Sequence, residues 1–105
     1  MNQFGNLMKQ AQQVQAKLVE AQNKIAAMEV DGASGGDMVR VKINGSGNLL
    51  NVVIDESLLV KDGGEILSDL LVAAFSDAKA KLDEKSKEEM SAFSSMLPAG
   101  MKLPL

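Results

Sequence analysis

Histidine, cysteine, tryptophan and tyrosine are all missing from this chain. Without cysteine there is neither a disulfide framework nor a thiolate metal site, a composition that fits a reducing compartment. Without histidine and tyrosine the commonest general base, the commonest zinc ligand and the phenolic acid are gone, so any catalysis would fall to Asp, Glu, Lys and Ser. An enzyme is therefore the least favoured class, and no cofactor, metal or small-molecule substrate is expected. No run approaches the roughly 18 apolar residues of a membrane span, and the N-terminus lacks a basic segment leading into an apolar one. A soluble cytoplasmic protein without membrane contact is the expectation. Proline is scarce too, with Pro98 and Pro104 both close to the C-terminus.

What is present divides into helix and strand patterns. From Phe4 to Met28 the apolar residues fall at Phe4, Leu7, Ala11, Val14, Leu18, Ala21, Ile25 and Met28. This unbroken alternation of three and four is the narrow seam of a coiled coil. At about 1.5 Å per residue such a helix is roughly 37 Å long, against roughly 20 Å for a six-residue strand, so about half of it must overhang any sheet it packs on.

Asp37 to Asp55 reads as two antiparallel strands joined by a polar turn. Val39, Val41 and Ile43 alternate with Arg40, Lys42 and Asn44, and after Gly45-Ser46-Gly47-Asn48 the apolar positions resume at Leu50, Val52 and Ile54. Leu49 and Val53 make the outward face of that last strand apolar, which points to a second subunit resting on it. Glu29-Val30-Asp31-Gly32 supplies a preceding strand, completing a three-stranded meander.

Leu58, Leu59 and Val60 read as a buried turn, and Asp62-Gly63-Gly64-Glu65 as a capping box with Asp62 at the N-cap. The second helix is expected from about Gly63 to about Met90 or slightly beyond. Its seam is Leu67, Leu71, Ala74, Ala78 and Leu82, widened by Ile66, Leu70 and Phe75 where it meets the sheet. Past Leu82 it becomes a solvated arm. Residues 1–93 thus form one domain and 94–105 an extended or disordered tail that carries Leu and Met enough to dock on something. The class is α+β with α-β-β-β-α order, two long helices projecting from one side of the sheet. At 105 residues the core is modest and oligomerisation is a natural remedy.

The net charge of −3 hides an asymmetry. The first 28 residues carry Lys9, Lys17 and Lys24 against Glu20 alone, while Asp62 to Glu89 sets Lys79, Lys81, Lys85 and Lys87 against eight acids. Gln3, Gln10, Lys17 and Lys24 share one flank of the first helix, a stripe of donors suited to phosphate oxygens. Spacing alone favours the plainer view that these residues keep a coiled coil soluble. Asp77 with Lys81, and Asp83 with Lys87, are spaced to support the helix by i,i+4 pairing. Arg40 and Lys42 stand on the polar face of the hairpin. Gly32-Ala33-Ser34-Gly35-Gly36 lacks the Lys-Ser/Thr and following helix of a phosphate loop, and Asp31, Asp37 and Asp55 lack calcium-loop spacing.

Four blocks in order, Asn6–Leu18, Met28–Leu59, Asp69–Ala78 and Leu97–Pro104, resemble the YbaB/EbfC family of nucleoid-associated proteins along essentially the whole chain. The resemblance implies a bacterial DNA-binding homodimer whose paired helices grip duplex DNA like tweezers, with little sequence preference. DNA contact carries over to Lys9, Lys17 and Lys24, and secondarily to Lys79, Lys81, Lys85 and Lys87, with Arg40 and Lys42 as further candidates. This chain departs from the family in having Glu56 where many relatives have Pro, and Leu49, Leu50 and Val53 where charges are usual. Those three are the expected dimer contact. The rival reading is an adaptor that grips a protein through its helical arms and tail, with DNA contact incidental; the acidic second helix favours it.

Overall fold

The computed structural model describes residues 2–96. Helix α1 spans Asn2–Ala27, and strands β1 (Glu29–Ser34), β2 (Val39–Asn44) and β3 (Leu49–Ile54) follow. A short 3-10 turn at Glu56–Leu58 then leads into helix α2, Gly64–Ser95. The strands form one antiparallel sheet in the order β1-β2-β3, as the meander reading expects.

Period-two patterning decides which face is core. Val39, Val41 and Ile43 of β2 are buried with Val30 of β1, and α2 lays Ala74, Ala78 and Leu82 over them. The small alanines let the helix approach β1 closely, and Gly32 completes the fit. A Cβ there would collide with the Ala74 carbonyl oxygen and stand 2.5 Å from the Ala78 nitrogen. Two side chains fasten the contact. Asp77 accepts the Ala33 N–H at 3.0 Å, and the Ser34 hydroxyl donates to the Leu70 carbonyl. The outer edge of β1 is thereby tied to α2.

The β2–β3 turn is held by Asn44, which strand patterning placed only as a polar position of the hairpin. Asn44 Oδ1 accepts the N–H groups of both Ser46 and Asn48 at 3.0 Å, and Gly47 takes the left-handed conformation (φ +85°). The pairing slips between Lys42 and Ile43, so that Leu49, not Leu50, stands opposite Ile43. Leu50 consequently does not join the core as simple alternation expects. One extra residue in a strand moves every side chain beyond it to the other face. Leu49, Leu50 and Val53 end 51%, 48% and 43% exposed.

Further expectations are corrected. Only Leu58 of the Leu58-Leu59-Val60 turn is buried. Asp62 does not cap α2, because its own backbone is left-handed (φ +68°); Gly63 takes the N-cap without any side-chain bond. Ile66 faces solvent. The helix runs a little beyond Met90, to Ser95, with Phe93 buried in its last turn, and so takes in the first two residues of the expected tail. Ser94 and Ser95 are thus helical, and the rest of the expected tail, 97–105, lies outside the described residues.

It is α2 that lies on the sheet; α1 meets the strands only at its end. Gly45 donates its N–H to the Met28 carbonyl at 2.9 Å, and a Cβ on Gly45 would run into the carbonyl of Ile25. The overhang therefore exceeds the expected half. The chain measures 75 × 19 × 16 Å with a radius of gyration of 20.3 Å. A compact domain of this length would have about 13 Å. Among the described residues no helix is long and apolar enough to cross a membrane.

Candidate nucleic-acid interface

Two arms build the candidate interface. From Leu82 the buried and half-buried positions of α2 continue at Ser86, Glu89 and Phe93, in steps of four, three and four, and the last two meet α1. This overturns the reading of everything past Leu82 as solvated. Phe93 is buried and lies with Ala21 of α1 in the groove between the arms. At the same crossing Lys24 Nζ meets Glu89 Oε1 at 3.0 Å. The α2 arm ends at Met96, beside Lys17 and Ala21. Everything in α1 before Lys17 extends past that end.

The expected cations fall into three groups. Lys9 and Lys17 stand on the exposed α1 arm, Lys9 without an ion pair among the described residues and Lys17 only 3.9 Å from Glu20. Lys24 belongs to the crossing and is partly neutralised by Glu89. On α2 the lysines are interleaved with acids. Lys81 binds Asp77 at 3.0 Å as its spacing predicts, whereas Asp83 takes Lys79 at 3.5 Å instead of the expected Lys87. Lys81 and Lys85 share a groove with Asp31, Glu84 and Glu88, three carboxylates against two amines. Such a groove repels phosphate.

On the sheet, Arg40 and Lys42 share the outward face with Asp31, Asn51 and Val53. Lys42 reaches Glu29 at 3.6 Å, leaving Arg40 the unpaired cation of that face among the described residues. The structure thus gathers Lys9, Lys17 and Lys24 along one arm, places Arg40 and Lys42 on the platform, and scatters Lys79, Lys81, Lys85 and Lys87 over an acidic helix.

Two carboxylates titrate below the ordinary aspartate range. Asp77 is held down first by the Ala33 N–H and then by Lys81; Asp55 is held down by the backbone and hydroxyl of Ser57. Both act as structural acceptors at turns and edges, away from the lysine arm.

The chain matches the model of the YbaB/EbfC DNA-binding family over residues 1–97. A nucleoid-associated protein of Phenylobacterium zucineum is 53% identical over 90 residues, which cover 86% of this chain and 84% of that one. The crystal structure of an uncharacterised Helicobacter pylori protein superposes with a TM-score of 0.66 at 27% identity, covering 88% of this chain and 94% of the other. With the helix, three-stranded meander and long second helix all in place, the chain belongs to the YbaB/EbfC DNA-binding family.

Proposed function

We propose that this protein is a nucleoid-associated protein that binds duplex DNA as a homodimer, gripping it between projecting helical arms with little sequence preference and contributing to chromosome organisation or gene regulation. The observation that carries the reading is the family match over a protomer 75 Å long whose first helix stands clear of the sheet. Asn, Gln and Lys are frequent in that helix outside its seam, and such side chains donate to phosphate oxygens, contacts that carry no sequence information of their own. Contact along a rod of this kind is electrostatic and blind to sequence. Its site is the cytoplasmic nucleoid.

The phosphate-facing residues are Lys9 and Lys17 of α1 and, in so far as Glu89 leaves its charge available, Lys24, supported by Arg40 and Lys42 on the platform. Lys79, Lys81, Lys85 and Lys87 contribute less, because carboxylates beside them already hold or repel the charge. Dimerisation uses the free side of the sheet. The β1 edge donates to Asp77, whereas β3 carries half-exposed Leu49, Leu50 and Val53. An apolar strand edge of this kind invites pairing with a second copy.

A mobility-shift series over salt tests the first part. Log affinity falls linearly with log salt, at about −0.9 per phosphate neutralised, and the triple variant Lys9→Glu, Lys17→Glu, Lys24→Glu weakens binding to all sequences alike. Affinity that ignores salt overturns the reading. Sedimentation of Val53→Asp tests the second part, a shift toward monomer being expected. The rival adaptor reading draws on the acidic α2, and it wins if partners survive nuclease treatment while DNA binding is undetectable near physiological salt.

A further inference from the structure

The first helix has a paired base and an unpaired tip, and the tip repeats the pattern of the base. Phe4, Leu7, Ala11 and Val14 carry the three-four seam past Met96, where α2 ends beside Lys17 and Ala21. Phe4 and Leu7 are 72% and 62% exposed, and Met8 beside them is 52% exposed. Little in the tip itself favours the helix. Its first turn has no acid to meet the helix dipole, and it contains Gly5, a poor helix former with open space where a Cβ would stand. Packing of an apolar face supplies most helical stability in proteins, so the tip is suited to a helical partner.

We infer that this partner is the same stretch of α1 in a second copy, laid antiparallel, so that the tips of two dimers join. Side-chain volume selects the direction. With the helices antiparallel and centred on Lys9, Phe4 faces Val14 of the second copy and Leu7 faces its Ala11, a larger residue against a smaller one in every layer of the seam. Parallel pairing sets Phe4 on Phe4 and Ala11 on Ala11, crowding one layer and leaving a gap in another. Charge selects the copy. The positions flanking this seam are Gln3, Met8, Gln10 and Gln15, none of them charged, and Lys9, the one charged side chain between Gln3 and Ala16, lies on the opposite face of the helix. Coiled-coil partners of another sequence are chosen by charges at those flanks, whereas amides, which both donate and accept, match themselves. Both Lys9 side chains stay outside the joint, open to phosphate.

The choice of a second dimer over the other arm of the same dimer rests on the DNA reading above. Helices joined on a seam lie about 8–10 Å apart, less than the roughly 12 Å width of a major groove alone. Arms held apart by a duplex therefore cannot pair with each other, whereas the tips of neighbouring dimers can. The overlap is short, about 15 Å from Phe4 to Val14, and about eleven residues a side fall below the roughly 20–30 of a standard interface. The joint is accordingly weak between free dimers and forms where DNA concentrates them. Dimers joined in this way tie together the duplex segments they hold.

The chain has no cysteine, so two single-cysteine variants, Leu7→Cys and Ala11→Cys, report the register directly. The two full-length chains are purified separately, mixed on a long duplex and oxidised; the DNA is then digested, and the products are read by non-reducing electrophoresis and by sedimentation. A disulfide requires Cα atoms within about 7 Å. The expected product is the mixed bond between an L7C chain and an A11C chain, in a species of twice the mass of the unoxidised protein, and it is lost when Phe4→Gln is added to both chains. A mixed bond without that doubling of mass means that the arms of one dimer meet. L7C chains bonded chiefly to each other mean a parallel joint, and no bond at all leaves the tip to a different protein. Each of these overturns the inference while leaving the DNA reading standing. A protein that does not shift the duplex in the first place overturns the DNA reading instead; the oxidation is then repeated without DNA at the highest attainable concentration, where the mixed bond and the doubled mass are still required.

Discussion

Removing a negative charge from the arms should strengthen DNA binding, and Glu89 is the residue to remove. Its carboxylate holds Lys24 at 3.0 Å, with the Glu89 side chain 23% exposed and Lys24 68% exposed. Lys24 thus reaches solvent, but its charge is already partly spent. Glu89→Gln keeps an oxygen that can accept from the ammonium while freeing the cation for phosphate. Each released lysine adds about −0.9 to the slope of log affinity against log salt, so the two arms of the proposed dimer add about −1.8. Between about 50 and 200 mM salt this amounts to an extra loss of about 3.5-fold per lysine and about 12-fold for a pair. E89Q therefore binds more tightly than wild type at low salt and converges on it as salt rises. The same logic ranks the lysines. Lys9→Ala flattens the slope by about 0.9 per arm, and Lys24→Ala changes it far less. Disruption of the arm is a minor confounder, because partly exposed ion pairs contribute under about 1 kcal/mol and Phe93 still fills the crossing. Fluorescence anisotropy on a short duplex at five salt concentrations reads the slope. If E89Q and wild type give the same slope, the Lys24 flank does not face DNA, and the arm geometry argued for binding is wrong.

Two further perturbations test the platform. Gly32→Ala places a methyl against the Ala74 carbonyl and Ala78, forcing α2 off β1; overpacking of this kind costs about 1–3 kcal/mol, and each 1 kcal/mol lowers the melting temperature by about 4–8 °C in a domain of this size. A variant as stable as wild type, by scanning calorimetry at matched concentration, contradicts the close helix–strand approach. The acid limb depends on Asp77 and Asp55. Both are lowered in the folded state, so their contribution is complete above the ordinary aspartate value of about 3.9 and is lost as pH falls through their folded values. Urea midpoints from about pH 6 to about pH 3 should therefore fall more steeply for wild type than for Asp77→Asn, which keeps an acceptor for the Ala33 N–H and has no charge to lose.

How much of this was legible in the sequence depends on the range of the interaction. Order and type of the elements follow from local periodicity: the three-four spacing of Phe4 to Met28, and the alternation of Val39, Val41 and Ile43. Local charge pairing was readable too in Lys81 with Asp77, four residues apart. It failed for Asp83, which has a lysine four residues away on either side; exposed pairs at that spacing differ too little in energy for spacing to choose. The slip that turns Leu50 outward leaves no mark in an apolar run, because Leu49 and Leu50 are interchangeable on hydropathy.

The candidate site was half legible for a related reason. Sequence names the lysines but not their partners, and the contact that weakens Lys24 joins positions 65 apart along the chain. A seam states that a helix wants a partner without saying where that partner stops. Reading α2 as solvated beyond Leu82 hid Ser86, Glu89 and Phe93, whose four-three-four steps carry the stripe up to the crossing. Had that stripe been followed, the end of α2 near Lys17 would have been foreseeable, and with it the division of α1 into a paired base and an uncovered tip. That division sets the electrostatics as well as the shape. Acidic α2 accompanies α1 only as far as Lys17, so the carboxylates that cancel its charge are confined to the base, and the tip keeps Lys9 with its amide neighbours for a polyanion.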